Sequence, residues 1–227
     1  MGKFAVIGMG FFGESLARAL SDLGNEVIAI DNSMEKVDDV KDHVSYAVRL
    51  DSTDERAMRA QGLDAMDAVI VSIGEDFESS IYTSVLLQQL GVRRIITRVS
   101  NPVHTRIMQL LGIKETIFPE QEVAKTLAKE LSLTGVIEYV PLGGEYVIAQ
   151  VKTPADLVGK SILDANLRSD YNLNLVTIKK ILTERDAQTG SERINETVMG
   201  VPSPDTVLDE TDILVVMGRE RDIKRLL

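Results

Sequence analysis

Six residues near the N-terminus have the types and spacing to hold a diphosphate. Gly8, Met9, Gly10, Phe11, Phe12 and Gly13 form a Gly-x-Gly-x-x-Gly motif. The pattern alone is weak, but here it follows an apolar run that reads as a strand and opens a pattern that reads as a helix. Gly8 permits the tight turn, Gly10 lets backbone approach a pyrophosphate, and Gly13 lets helix pack closely on strand. Phosphates then meet N–H groups at a helix N-terminus, where the dipole favours anions. Asp31 lies 18 residues after Gly13, at the end of the next apolar run. A carboxylate there accepts hydrogen bonds from ribose hydroxyls and repels a 2′-phosphate, so the expected ligand is NAD or an adenosine nucleotide, not NADP. The alternative is a glycine turn with no ligand.

Other polar positions recur at strand ends. Asp51 and Ser52 follow the third apolar run, at the carboxyl end where open sheets bind ligands, and suit an adenine edge. Ser52 and Asp54 equally suit capping of a helix that starts near Glu55. Ser72, Ile73 and Gly74 follow the fourth run, where Gly74 either gives a ligand close approach or makes a turn. Groups for catalysis are lacking. His43 and His104 lie far apart on expected helices and read as surface or capping residues. No HxxxH or HxxEH spacing and no GxSxG elbow occurs, and Gly13, Glu14 and Ser15 do not make the GK[ST] of a phosphate loop. An NAD(H)-dependent oxidoreductase would need an acid or base beside the nicotinamide. It stands as a rival on fold grounds alone.

The elements that must position these residues alternate. Apolar runs at 4–7, 27–30, 46–48, 68–71, 95–97 and 116–118 read as buried strands. Between them, Leu16, Ala19, Leu20 and Leu23 share one helical face, ended by Gly24 and Asn25, and helical patterns cover 34–42, 55–61, 79–90 and 103–111. This predicts an α/β fold: a Rossmann-like, doubly wound parallel sheet over residues 1–118. Pro119 marks a break. Residues 119–135 form a linking or crossover segment, with a helix over 120–133 whose Val123, Ala124, Leu127, Ala128 and Leu131 make one apolar stripe. That helix packs either on another subunit or back on its own sheet. Residues 136–227 read as a small α+β domain with strands at 146–151, 173–178 and 213–217 and a short helix near Ser161. The polar stretch 183–200, with Asp186, Gly190 and Ser191, reads as a long exposed hairpin.

Composition narrows the class. The formal charge of −10 divides evenly, −5 on either side of the Phe118 boundary, so there is no basic arm for nucleic acid. The absence of cysteine removes disulfides, thiolate metal sites and cysteine nucleophiles. No apolar run approaches the roughly 18 residues that cross a bilayer. The expectation is an intracellular protein without a membrane anchor of its own.

Together the motifs resemble the RCK, or KTN, regulatory subunits of bacterial potassium uptake systems, the KtrA and TrkA group. The resemblance runs through the glycine motif with its strand, Val27 to Asp31, Ala68 to Gly74 and Ile117, Phe118, Pro119 and Glu120. It continues through Leu157, Val158, Gly159, Lys160, Ser161 and Ile162 and closes over Asp212 to Gly218. One Rossmann unit with one small domain is similar to the single-repeat KtrA type.

The resemblance implies a non-enzymatic gating subunit. Such subunits assemble from dimers of RCK domains into a homo-oligomeric ring, often an octamer. The ring sits on the cytoplasmic face of a KtrB- or TrkH-like membrane potassium-translocating subunit. It responds to ATP, ADP, AMP or NAD(H). A stand-alone nucleotide sensor without a membrane partner is the second rival. Gly8, Gly10, Gly13 and Asp31 match the family's nucleotide site directly, and Phe11, Phe12 and Asn32 adjoin them. Ser33, Asp51, Ser52, Ile73, Gly74 and Arg98 fall where relatives touch ribose, base or phosphate. ATP-binding relatives commonly carry Arg at the position of Phe11. Phe11 donates no hydrogen bond, which leaves Arg98 to supply charge, or NAD(H) or AMP as the ligand. Glu120 matches a Pro-Glu glutamate that helps hold a divalent cation, Mg or Ca, near the phosphates. Its other reading is a first-turn acid after Pro119. The second domain resembles RCK_C, or TrkA-C, which in some relatives binds cyclic di-AMP. Ile162, Leu163, Leu167, Arg168 and Asn174 are the matching positions, and a plain dimer core also explains them.

Overall fold

The computed structural model describes residues 1–132, 135–185 and 192–227. It divides into two compact units, Met1–Gln121 and Glu122–Leu227.

The first unit alternates strand and helix: β1 (Lys3–Ile7), α1 (Phe11–Asp22), β2 (Glu26–Asp31), α2 (Met34–Val40), β3 (Tyr46–Arg49), α3 (Glu55–Arg59), β4 (Ala68–Val71), α4 (Phe77–Gln89), β5 (Ile95–Arg98), α5 (Pro102–Leu110) and β6 (Glu115–Ile117). The six strands are all parallel, in the order β3-β2-β1-β4-β5-β6. Successive residues of a strand face opposite sides, and here both sides are covered. Ala5, Ile7, Ile30, Val69 and Val71 pack with Met58, Leu87 and Met108 on one side. Val6, Val27, Ala29 and Ile70 pack with Met9, Ala17 and Val40 on the other. The chain order reverses between β1 and β4, which opens a crevice at the carboxyl ends of the strands.

Helix starts follow local chemistry. Asp54 accepts the Ala57 N–H to start α3, Asp76 the Ser79 N–H to start α4, and Asn101 the His104 N–H to start α5, where Pro102 occupies the first turn. No side chain caps α1, which begins at Gly10. One histidine keeps the expected surface place, off any helix, and the other does not. His43 lies in a turn after α2 and is exposed. His104 is on α5 but only 2% exposed, with Phe77 edge-on at 4.7 Å between ring centroids. Its ring nitrogens have no hydrogen-bond partner.

A helix, α6 (Pro119–Ser132), crosses the unit boundary, and Val123, Leu127 and Leu131 are exposed along one stripe of it. The second unit holds β7 (Val136–Gly143), β8 (Tyr146–Lys152), α7 (Leu167–Tyr171), β9 (Asn174–Arg185), β10 (Glu192–Val198), β11 (Ile213–Arg219) and α8 (Glu220–Leu226). Its sheet is antiparallel, in the order β10-β9-β11-β8-β7. Val147, Ala149, Val151, Ile178, Leu214 and Val216 pack with Leu157, Leu167, Leu208 and Ile223 in its core. β9 and β10 pair as a hairpin whose connection, with Asp186, Gly190 and Ser191, lies outside the described residues.

The helix expected near Ser161 begins only at Leu167. Ser161 instead closes a turn, in which its hydroxyl donates to Asp164 and accepts the Asp164 N–H. Asn166 then takes a left-handed conformation (φ 47°) immediately before α7. Where β9 meets β11, Lys180 bridges the buried Asp212 and Asp209, 2.7 Å from each.

Candidate nucleotide-binding cleft

A cleft of about 910 Å³ opens in the first unit at the carboxyl ends of its strands. Its centre is the turn between β1 and α1. Gly8 has φ +96°, which a side chain disfavours, and its N–H donates to the Ile30 carbonyl at 2.7 Å. The Ser72 hydroxyl, just past β4, lies 2.6 Å from the Gly8 carbonyl and 2.9 Å from that of Ile7. A Cβ on Gly13 would fall 1.9 Å from the Gly8 oxygen, so α1 approaches the turn only because that side chain is missing. A Cβ on Gly10 would meet no atom within 4 Å; this backbone faces open space.

Asp31, at the end of β2, is buried and ties two loops together. One carboxylate oxygen accepts the Met9 N–H at 2.6 Å and the other the Ser33 N–H at 2.8 Å. Each oxygen keeps a second lone pair for a ligand hydroxyl. Lys36 stands 3.9 Å away and shares the lining with Asn32, Leu50, Asp51 and Ser52. The Thr53 hydroxyl, then its N–H, holds the Asp51 carboxyl below the usual carboxylate range. Ser52 is buried and accepts from the Thr83 hydroxyl at 2.8 Å, so it fastens this wall to α4.

The opposite half is built from the ends of β4 and β5 and the start of α6. Ile73, Gly74, Glu75, Asp76, Ser79, Arg98 and Glu120 line it. Arg98 forms an ion pair with Glu120 and lies 5.7 Å above the Phe12 ring. A Cβ on Gly74 would come within 2.7 Å of its Nη1, so Gly74 makes room for the guanidinium. The Glu120 carboxyl is lowered by its own N–H at the helix start, then by Arg98. Hydrogen bonds from the Ser79 hydroxyl and N–H lower Asp76. Phe11 stands at the mouth, 97% exposed.

Of the residues expected at a nucleotide site, Gly8, Gly10, Phe11, Phe12, Asp31, Asn32, Asp51, Ser52, Ile73, Gly74, Arg98 and Glu120 converge on this cleft. Gly13 packs beneath it, and Ser33 starts α2 outside its lining. Among the described residues no group of three or more His, Cys, Asp or Glu is placed to hold a metal, and Glu120 is engaged by Arg98. The positions considered for cyclic di-AMP are split. Leu167 is 4% exposed within the second unit's core and Ile162 packs against it, whereas Leu163 is exposed. Arg168 donates to the Asn174 side chain at 2.7 and 3.0 Å. Sequence reasoning missed Lys36, Glu75, Asp76 and the anchoring role of Ser72. Their signal was position: a hydroxyl at the end of β4, and acids one and two residues past Gly74.

The TrkA-N domain family model matches residues 4–119. The Ktr system potassium uptake protein C of Bacillus subtilis (strain 168) is 35% identical over 223 residues, covering 98% of this chain and 95% of the relative. Ktr system potassium uptake protein A of the same organism is 32% identical over 223 residues, covering 98% and 94%. Among solved structures, the GsuK channel bound to NAD shares the fold at a TM-score of 0.62 and 18% identity, over 98% of this chain and 38% of that one.

Proposed function

The chain belongs to the TrkA-N domain family, alongside the Ktr system potassium uptake proteins, and from that premise we propose that it is a nucleotide-binding regulatory subunit of a membrane potassium-uptake system. The observation that carries the reading is the glycine-turn cleft, set in a chain whose similarity to Ktr proteins runs through both units. The cleft suits the ligand on its own terms. The backbone at Gly10 is open, no side chain caps α1, and the Asp31 carboxylate at the end of β2 has lone pairs to offer ribose hydroxyls. Gly8, Gly10 and the start of α1 would hold the pyrophosphate, Asp31 and Asn32 the adenosine ribose, and Asp51 and Ser52 the base edge. Bound there, the nucleotide supplies negative charge and shape, and no reaction is proposed for it. A ligand shifts the protein between two shapes only as far as its affinities for them differ.

The exposed α6 stripe and the second unit would join copies of the chain into a homo-oligomeric ring, an octamer in this reading. The ring would act on a KtrB- or TrkH-like subunit at the cytoplasmic face. No helix among the described residues is long and apolar enough to cross a membrane, so the partner would provide the attachment. Among the described residues no group of three or more His, Cys, Asp or Glu forms a cation site. A Mg or Ca ion at Glu120 would depend on phosphate oxygens and on release of Arg98. Cyclic di-AMP at the second unit would rest on Ile162, Leu163, Arg168 and Asn174, since Leu167 is spent in the core. A thermal-shift panel of ATP, ADP, AMP, NAD, NADH and cyclic di-AMP, with and without Mg²⁺, tests the reading. A true ligand raises the melting temperature by mass action, and no shift with any adenine nucleotide would reject it.

A further inference from the structure

The half of the cleft beyond the glycine turn has no uncommitted positive charge. Lys36 and Arg98 are the basic residues of the lining, and Lys36 stands beside Asp31 on the β2 side. Arg98 is the cation on the other side, and it is already placed. Glu120 neutralises it, the Phe12 ring lies beneath it, and the missing side chain of Gly74 seats it. Glu75, exposed in the loop after β4, and Asp76, kept ionised by Ser79, add negative charge on that same side.

We propose that this half of the cleft discriminates against a terminal phosphate. The site then takes a nucleotide whose pyrophosphate is esterified at both ends, of the NAD⁺ kind, ahead of ADP and further ahead of ATP. The inference rests on the nucleotide reading above and makes Glu75 and the Arg98–Glu120 pair its specificity determinants. In a doubly wound sheet the pyrophosphate sits at the glycine turn and the group beyond it extends over the fourth strand. A third phosphate extending there meets two carboxylates and an arginine already paired. A ribose extending there donates its hydroxyls to those carboxylates, and a pyridinium ring complements their charge. Glu75 and Asp76 are exposed, and like charges about 4 Å apart in water cost about five-fold in affinity each.

Calorimetric titration of the full chain with NAD⁺, ADP and ATP in divalent-free buffer tests this, using wild type, Glu75→Gln and Glu120→Gln. The expected result is NAD⁺ bound about ten-fold or more tightly than ATP by wild type, with ADP between. Glu75→Gln narrows that gap by about five-fold by removing a carboxylate, and Glu120→Gln narrows it by freeing Arg98. ATP bound as tightly as NAD⁺ by wild type overturns the inference, as does a gap unchanged in both variants. Absence of binding by all three nucleotides rejects the nucleotide reading itself and this inference with it.

Discussion

A Cβ added at Gly10 meets nothing within 4 Å, whereas one added at Gly13 falls 1.9 Å from the Gly8 carbonyl. The two glycines of one motif therefore separate experimentally. Gly10→Ala should leave the melting temperature within a few degrees and weaken nucleotide binding about ten-fold or more. Gly13→Ala should lose the fold's stability first, read as an early urea midpoint, because α1 must move off β1. Asp31→Ala should weaken binding and also loosen the turn, since both of its oxygens already accept backbone N–H groups. His104 gives a pH prediction. Burial lowers its pKa from the ordinary 6.5, so the unfolded chain takes up the proton first. Its neutral form contributes stability fully above that value, and the contribution is lost as pH falls below it. His104→Phe should flatten the fall in urea stability as pH drops below the ordinary histidine value. A slope identical to that of wild type would remove His104 from the account. At this scale the glycines and Asp31 were legible because each answers a backbone need of one turn. The burial of His104 was not, because nothing local in the sequence says that Phe77 will cover it.

The six parallel strands could be read from continuous apolar runs, since a sheet covered on both faces needs no alternation. β7 was harder, with Pro141 and Gly143 interrupting an edge strand, and α8 harder still, since Glu220, Arg221, Asp222, Lys224 and Arg225 leave it short of apolar residues. The turn at Ser161 read as a helix start because a hydroxyl followed three residues later by an acid serves either structure. The Lys180 link between β9 and the start of β11 was invisible in sequence, its partners lying 29 and 32 residues away. Burial pulls the Lys180 pKa down, but the hydrogen bonds to Asp209 and Asp212 outweigh it and leave it raised. Lys180→Met strands the buried Asp212 carboxylate and should cost about 3 kcal/mol of urea stability. A loss near zero would show that the pair does not hold the sheet. On α6, Leu127→Glu puts a charge into the exposed apolar stripe. It should shift light-scattering mass toward smaller species while leaving the nucleotide affinity of each chain unchanged.

Two units and a net charge of −10 describe a molecule that anionic lipid would repel. Under the proposed function, attachment to a membrane partner should therefore run through a basic face of that partner and weaken as salt rises. Binding to membranes holding the partner should fall steeply across about 0.05 to about 0.5 M salt, whereas an apolar interface would be nearly indifferent. The length pointed to more than one small module, and the even spread of charge to no basic arm. They said nothing of the charges that β4, β5 and α6 bring to one cleft, because only the tertiary fold joins them. The most direct test of the central claim is potassium uptake by cells lacking this chain, complemented with wild type or with Gly10→Ala at matched abundance. The account predicts that wild type restores uptake and that the variant, folded but impaired at the cleft, does not restore its regulation. Equal restoration by both, with nucleotide binding confirmed lost in the variant, would contradict it.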